Sequence, residues 1–90
     1  MTSTVIIVIP AYNEAATIGG VIERCLRTGA QAIVVDDGSV DETAAIASEY
    51  SIELLRNGVN AGKAGSLVKG MRRAIERGAG VVATMDGDGQ

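Results

Sequence analysis

The sequence predicts an α/β domain on a parallel sheet, a Rossmann-like β-α-β-α-β-α-β arrangement. Short runs rich in Val, Ile and Leu recur at Val5–Ile9, Ala32–Val35, Ile52–Leu55 and Val81–Met85. They are non-alternating in places, as strands covered on both faces are. Segments with apolar residues at helical spacing separate each run from the next. Such alternation argues for parallel strands joined by right-handed crossovers. No repeat, linker or low-complexity segment interrupts it.

The helices between the strands follow from the same pattern. After the first run, Ile18, Val21, Ile22, Cys25 and Leu26 fall at helical spacing, with Asn13 expected as N-cap and Gly29 as the stop. The second helix is expected to open on Ser39-Val40-Asp41-Glu42, a capping-box pattern, and to run through Ile46 and Tyr50. The third places Ala64, Leu67, Val68, Met71, Ala74 and Ile75 on one face. Lys69, Arg72, Arg73 and Arg77 fall mostly on the other, read as a solvated basic face, and Gly78 ends the helix. Cys25 lies on an apolar helix face and reads as core packing.

Composition removes several function classes. The chain has 90 residues, 47% of them hydrophobic and 21% charged, which makes it one small globular domain rather than a disordered segment. A net charge of -3 gives no general footprint for nucleic acid. The absence of histidine excludes Ser-His triads, histidine general bases and histidine metal ligands. One cysteine cannot form an intramolecular disulfide or a Cys-rich zinc site. Two tyrosines, without Phe or Trp, offer little surface for stacking bases. The run Val5–Ile9 is too short to span a bilayer and lacks the basic flank of a signal peptide, so a cytoplasmic location is expected.

In open α/β sheets the ligand crevice lies outside the carboxyl ends of the strands. Those ends are Pro10–Glu14, Asp36–Ser39, Asn57–Lys63 and Asp86–Gln90, all polar or Gly-rich. Asp86 and Asp88, one glycine apart, can face a common hard cation, with Gln90 as a further neutral oxygen. A polar turn is the plain alternative. An EF-hand also begins Asp-x-Asp but needs Asp or Asn where Gln90 stands. A haloacid dehalogenase-like phosphatase carries such a pair on its first strand, with Thr or Val at that position. Of Asp36 and Asp37, one can accept hydrogen bonds from a base edge or ribose and the other can cap the next helix, or both can be turn residues. Gly58-Val59-Asn60-Ala61-Gly62-Lys63-Ala64 lacks the spacing and the Ser/Thr of a P-loop. The first strand–helix turn has no glycine, so the dinucleotide fingerprint is absent too. Lys63, beside glycines at a helix start, can meet a diphosphate or remain solvated.

Taken together, these four segments resemble the nucleotide-binding half of a family 2 glycosyltransferase with the GT-A fold. The resemblance rests on Val8-Ile9-Pro10-Ala11-Tyr12-Asn13-Glu14, and on Val34-Val35-Asp36-Asp37-Gly38-Ser39 with Asp41 and Thr43. It rests also on Asn60-Ala61-Gly62-Lys63 with Gly70-Met71, and on Asp86-Gly87-Asp88-Gly89-Gln90. It covers essentially the whole chain and implies a role for each residue. Pro10, Ala11, Tyr12 and Glu14 would line the base and ribose pocket of a nucleotide-diphosphate sugar, UDP- or GDP-linked. Asp37 would be the main base-edge acceptor, with Asp36 supporting its loop and Lys63 near the diphosphate. Asp86 and Asp88 would hold Mg²⁺ or Mn²⁺ against the diphosphate, Gln90 adding a ligand.

Within the family, the Asp-Gly-Asp-Gly-Gln segment and the Gly-Lys element look most like enzymes that load a sugar onto a polyprenyl phosphate. That acceptor is already ionised and needs no general base, whereas a sugar hydroxyl would need a carboxylate base. The resemblance thus implies metal-dependent sugar transfer, at the cytoplasmic face of a membrane in a full-length protein. Residues 1–90 are expected to be its nucleotide-sugar-binding part, ending within a motif. Such a piece should bind donor without turning over, and its open apolar surface should favour self-association. The competing expectations are a non-catalytic nucleotide- or metal-binding module and the phosphatase.

Overall fold

The computed structural model describes residues 4–88. Strands β1 (Val5–Ala11), β2 (Gln31–Asp36), β3 (Glu53–Arg56) and β4 (Val81–Thr84) alternate with helices α1 (Ile18–Arg27), α2 (Thr43–Ala47) and α3 (Gly62–Glu76). The sheet is parallel throughout, in the order β3-β2-β1-β4. The chain therefore adds strands to one side of β1 and then crosses to the other. That reversal makes the carboxyl ends of β1 and β4 a topological switch point, where such sheets bind ligands.

Side chains of β1 alternate between two cores, which explains why its run does not alternate in polarity. Ile7, Ile9 and Ala11 pack with Ile18, Val21, Ile22 and Cys25 of α1 and Ala47 of α2. Ile6 and Val8 join Ile33, Val35 and Ala74 of α3 on the opposite face. Cys25 is fully buried, and burial pushes its thiol pKa up.

Three expectations for α1 and α2 need correction. Asn13 does not cap α1, whose N-cap is Thr17; Asn13 instead adopts a left-handed conformation at φ 52°. Its side-chain oxygen accepts from Val40 N–H at 2.9 Å, so it is spent on the neighbouring loop. Ser39 forms no capping box either, because its hydroxyl accepts from Asn13 N–H at 2.8 Å. Asp41 takes over at the start of α2, accepting from Thr43 N–H at 3.0 Å. The helix ends at Ala47, well short of Tyr50, although Tyr50 still packs against the first core.

The buried face of α3 is the small-residue stripe Ser66, Gly70 and Ala74. Leu67 packs partly against the core, but Val68, Met71 and Ile75 are 48%, 41% and 67% exposed. The cause is close approach: a Cβ on Gly70 would lie 2.3 Å from Val8 Cγ1 and 3.0 Å from Val35 Cγ2. Only glycine lets the helix backbone settle there, and this rotates the larger apolar residues outward. The basic residues of α3 are not simply solvated. Arg73 and Arg77 both pair with Glu53, at 2.7 and 2.9 Å. Lys69 Nζ donates to Asn57 Oδ1 at 2.8 Å and to the Arg56 carbonyl at 3.1 Å, fastening the end of β3.

Candidate functional site

The loops at the carboxyl edge are held by side chains before any ligand is considered. Thr43, fully buried, accepts from Glu14 N–H at 2.8 Å and donates to Asp41 Oδ1. The other Asp41 oxygen accepts from Ala15 N–H at 3.2 Å. With the Asn13–Ser39 and Asn13–Val40 bonds, this ties the loop after β1 to the loop after β2. The Asp41 carboxyl sits below its usual range because of the Thr43 hydroxyl, helped by the Thr43 and Ala15 N–H groups and opposed by burial.

The loop after β3 is organised by Asp37. Its carboxylate accepts from Ala61 N–H at 2.7 Å, Gly62 N–H at 2.9 Å and Asn57 Nδ2 at 2.8 Å. Asn57 Nδ2 also donates to the buried Ser66 hydroxyl at 3.2 Å. Burial pushes the Asp37 carboxyl up, but the Ala61, Asn57, Gly62 and Ser66 donors outweigh it and hold it below the usual range. Asp36 is wholly buried, accepting from Arg56 Nε at 3.2 Å and Ser39 N–H at 3.3 Å.

The turn after β4 lies against the end of β1. A Cβ on Gly87 would stand 2.9 Å from the Pro10 carbonyl oxygen and 3.2 Å from Ala11 Cβ, so only glycine fits between the two aspartates. The Thr17 hydroxyl donates to the Gly87 carbonyl at 2.7 Å, fixing the turn to the entry of α1.

These supports frame a cleft of about 170 Å³. It brings together Pro10, Ala11, Tyr12 and Glu14 after β1, Asp37 after β2, Lys63 at the start of α3, and Asp86 and Asp88 after β4. Asp36 lies outside the lining, and Gln90 lies outside the described residues. Ser66 and Gly87 complete the wall and were not among the expected site residues. Nor were Asn57 and Thr17, whose work shows only in three dimensions. Asp41 and Thr43, members of the second sequence signature, prove to be cross-loop ties.

Charge in the cleft is unbalanced toward acid. Burial, then the charges of Asp88, Asp41 and Asp86, push the Glu14 carboxyl above its usual value. Lys63 Nζ lies 2.6 Å from Asp86 Oδ1, and that hydrogen bond and charge raise its own pKa. Asp86 and Asp88 offer hard oxygen donors. Among the described residues, however, no group of three or more His, Cys, Asp or Glu is placed to hold a metal ion alone. This partial set fits Mg²⁺ or Mn²⁺ completed by phosphate oxygens and water, not a self-contained protein cage.

Comparison with known proteins places this arrangement. The family model for "Glycosyl transferase family 2" matches residues 6–90. The UDP-N-acetylglucosamine–dolichyl-phosphate N-acetylglucosaminyltransferase of Methanococcus voltae is 32% identical, over 93% of this chain and 41% of that protein. The polyprenol monophosphomannose synthase of Mycolicibacterium smegmatis is 30% identical, over 98% of this chain and 36% of that protein. Among solved structures, glucosyl-3-phosphoglycerate synthase from Mycobacterium tuberculosis, in complex with Mn²⁺, UDP and glucosyl-3-phosphoglycerate, superposes with a TM-score of 0.76. It is 27% identical, with 94% of this chain and 33% of that chain covered. The chain thus spans about two fifths or less of each relative's length. The parallel sheet, its switch-point cleft and the extent of the family match agree with the GT-A fold: this chain belongs to glycosyl transferase family 2.

Proposed function

We propose that this chain forms the donor side of a metal-dependent glycosyltransferase that moves a sugar from a UDP- or GDP-linked donor to a polyprenyl phosphate. The observation that carries the reading is the meeting of Asp86, Asp88, Lys63 and Glu14 with the Pro10–Tyr12 segment in one cleft, in a chain of this family. Two relatives named for dolichyl-phosphate and polyprenol substrates support the acceptor class. A fold neighbour bound to Mn²⁺ and UDP supports the donor and metal class.

In this reading Pro10, Ala11 and Tyr12 flank the base and ribose, and Glu14 faces the ribose hydroxyls. Asp37 is the main base-edge acceptor at the cleft wall while also bracing the loop after β3, with Asp36 supporting that loop through Arg56. Asp86 and Asp88 hold Mg²⁺ or Mn²⁺, with Gln90 as a further ligand, and Lys63 meets the diphosphate. The cation supplies neutralisation of the charge that grows on the leaving nucleoside diphosphate. A phosphate acceptor attacks already ionised, which suits a cleft without histidine. Among the described residues no helix is long and apolar enough to cross a membrane. Association with the cytoplasmic face is proposed from the acceptor class alone.

Calorimetric titration with UDP and with GDP, each with and without Mn²⁺, tests the reading. Binding of one nucleotide that requires Mn²⁺ is expected. A folded protein that binds neither under any condition would overturn it.

A further inference from the structure

We infer that Lys63 is a built-in counter-ion that competes with the divalent cation for Asp86, and that a diphosphate relieves this competition, so that metal and nucleotide load cooperatively. The inference deepens the proposed function and rests on its assignment of the cation to Asp86 and Asp88. Lys63 Nζ stands 2.6 Å from Asp86 Oδ1. A Mg²⁺- or Mn²⁺-sized ion on that oxygen sits at about 2.1 Å. Ammonium and cation would then share one oxygen at mutual van der Waals distance, two positive charges with little water between them. One must leave.

The side chain is placed to do so. Lys63 is 62% exposed and Asp86 38%, so the contact lies at the open mouth of the cleft. Lys63 also occupies the first turn of α3, which contains no acidic residue. A lysine there opposes the helix dipole, so its position is not explained by helix stability. The arrangement makes sense electrostatically in two states. Without nucleotide the ammonium offsets part of the repulsion among Asp86, Asp88 and Glu14. With a diphosphate present it finds a second anion beside the helix N-terminus, and Asp86 is released to the metal. Coupling of this kind is reciprocal: whatever the nucleotide does for metal affinity, the metal does for nucleotide affinity.

The test is a Mn²⁺ titration of the purified protein, following free Mn²⁺ by electron paramagnetic resonance, alone and with saturating UDP or GDP. Lys63→Met should bind Mn²⁺ alone about twofold to fivefold more tightly than the unaltered protein, the range for losing an exposed ionic competitor. The gain in Mn²⁺ affinity caused by nucleotide should shrink correspondingly. Lys63→Arg should retain the weak metal-alone binding. Arg72→Met removes the same charge from the outer surface of α3 and should leave metal binding unchanged, separating local competition from long-range charge. Equal or weaker Mn²⁺ binding by Lys63→Met, or an equal gain in Arg72→Met, overturns the inference while nucleotide-dependent Mn²⁺ binding still supports the site. Loss of Mn²⁺ binding in every protein, with and without nucleotide, overturns the site assignment itself.

Discussion

The carboxyl edge of the sheet carries two acidic pairs that look alike on paper and live in different surroundings. Asp36 and Asp37 are 0% and 4% exposed, and their oxygens are taken up by protein donors. Asp86 and Asp88 stand at the mouth of the cleft, one of them held by a flexible lysine and both raising the pKa of Glu14. A buried carboxylate is retained only when hydrogen bonds compensate its lost hydration, and once compensated it becomes a rigid structural post. In the proposed function, the carboxylates of the partly wet cleft are the ones that meet an external cation. The first pair therefore shapes the loops, and the second faces what enters between them.

Substitutions can break that contrast. The largest effect is expected for Asp37→Ala, which removes the carboxylate that accepts from the Ala61 and Gly62 N–H groups and the Asn57 amide. The loss should be about 3 kcal/mol, three part-buried hydrogen bonds at roughly 1 kcal/mol each. Urea denaturation measures it. Gly87→Ala comes next, because its Cβ would press on the Pro10 carbonyl and Ala11. A cost of about 2 kcal/mol is expected from overpacking, with displacement of the Asp86–Asp88 turn.

Acid titration separates the buried carboxylates from those of the cleft. The depressed pKa values of Asp37 and Asp41 contribute stability that is present above the ordinary carboxylate range. It is lost as pH falls through their folded-state values. Glu14 acts in the opposite sense: its raised pKa means stability is lost as pH rises through its folded value. Stability measured from pH 7 down to 3 should therefore fall at the acid end, and Asp37→Asn should flatten that fall. An unchanged slope in the variant would deny Asp37 its role as a post.

The smallest stability effect belongs to the pair at the mouth of the cleft. Asp88→Ala should stay within about 0.5 kcal/mol of the unaltered protein, as surface changes usually do.

Much of the fold was legible because β1 through β4 and their crossovers obey two periodicities, and the apolar runs mark strands covered on both faces. What stayed hidden was contact across loops. Asn13 has the chemistry of a helix cap, yet a donor from residue 40 outcompetes its own helix. The apolar residues of α3 suggested a Val68–Met71–Ile75 core face. The close approach at Gly70 turned the helix away from that choice, because a backbone can nestle where a side chain cannot. In the cleft, the polar residues at the strand ends could be read as a group from their positions. The posts behind them, Thr17, Asn57 and Ser66, carry no local signal, since each bonds to a different loop or element.

The most direct test of the account combines both halves of the comparison in one variant. Asp88→Ala should be as stable as the unaltered protein in thermal unfolding and should lose Mn²⁺-dependent binding of UDP or GDP in calorimetry. Retention of that binding, at unchanged affinity and with the same requirement for Mn²⁺, would contradict the assignment of the Asp86–Asp88 turn to the metal and the donor site built on it.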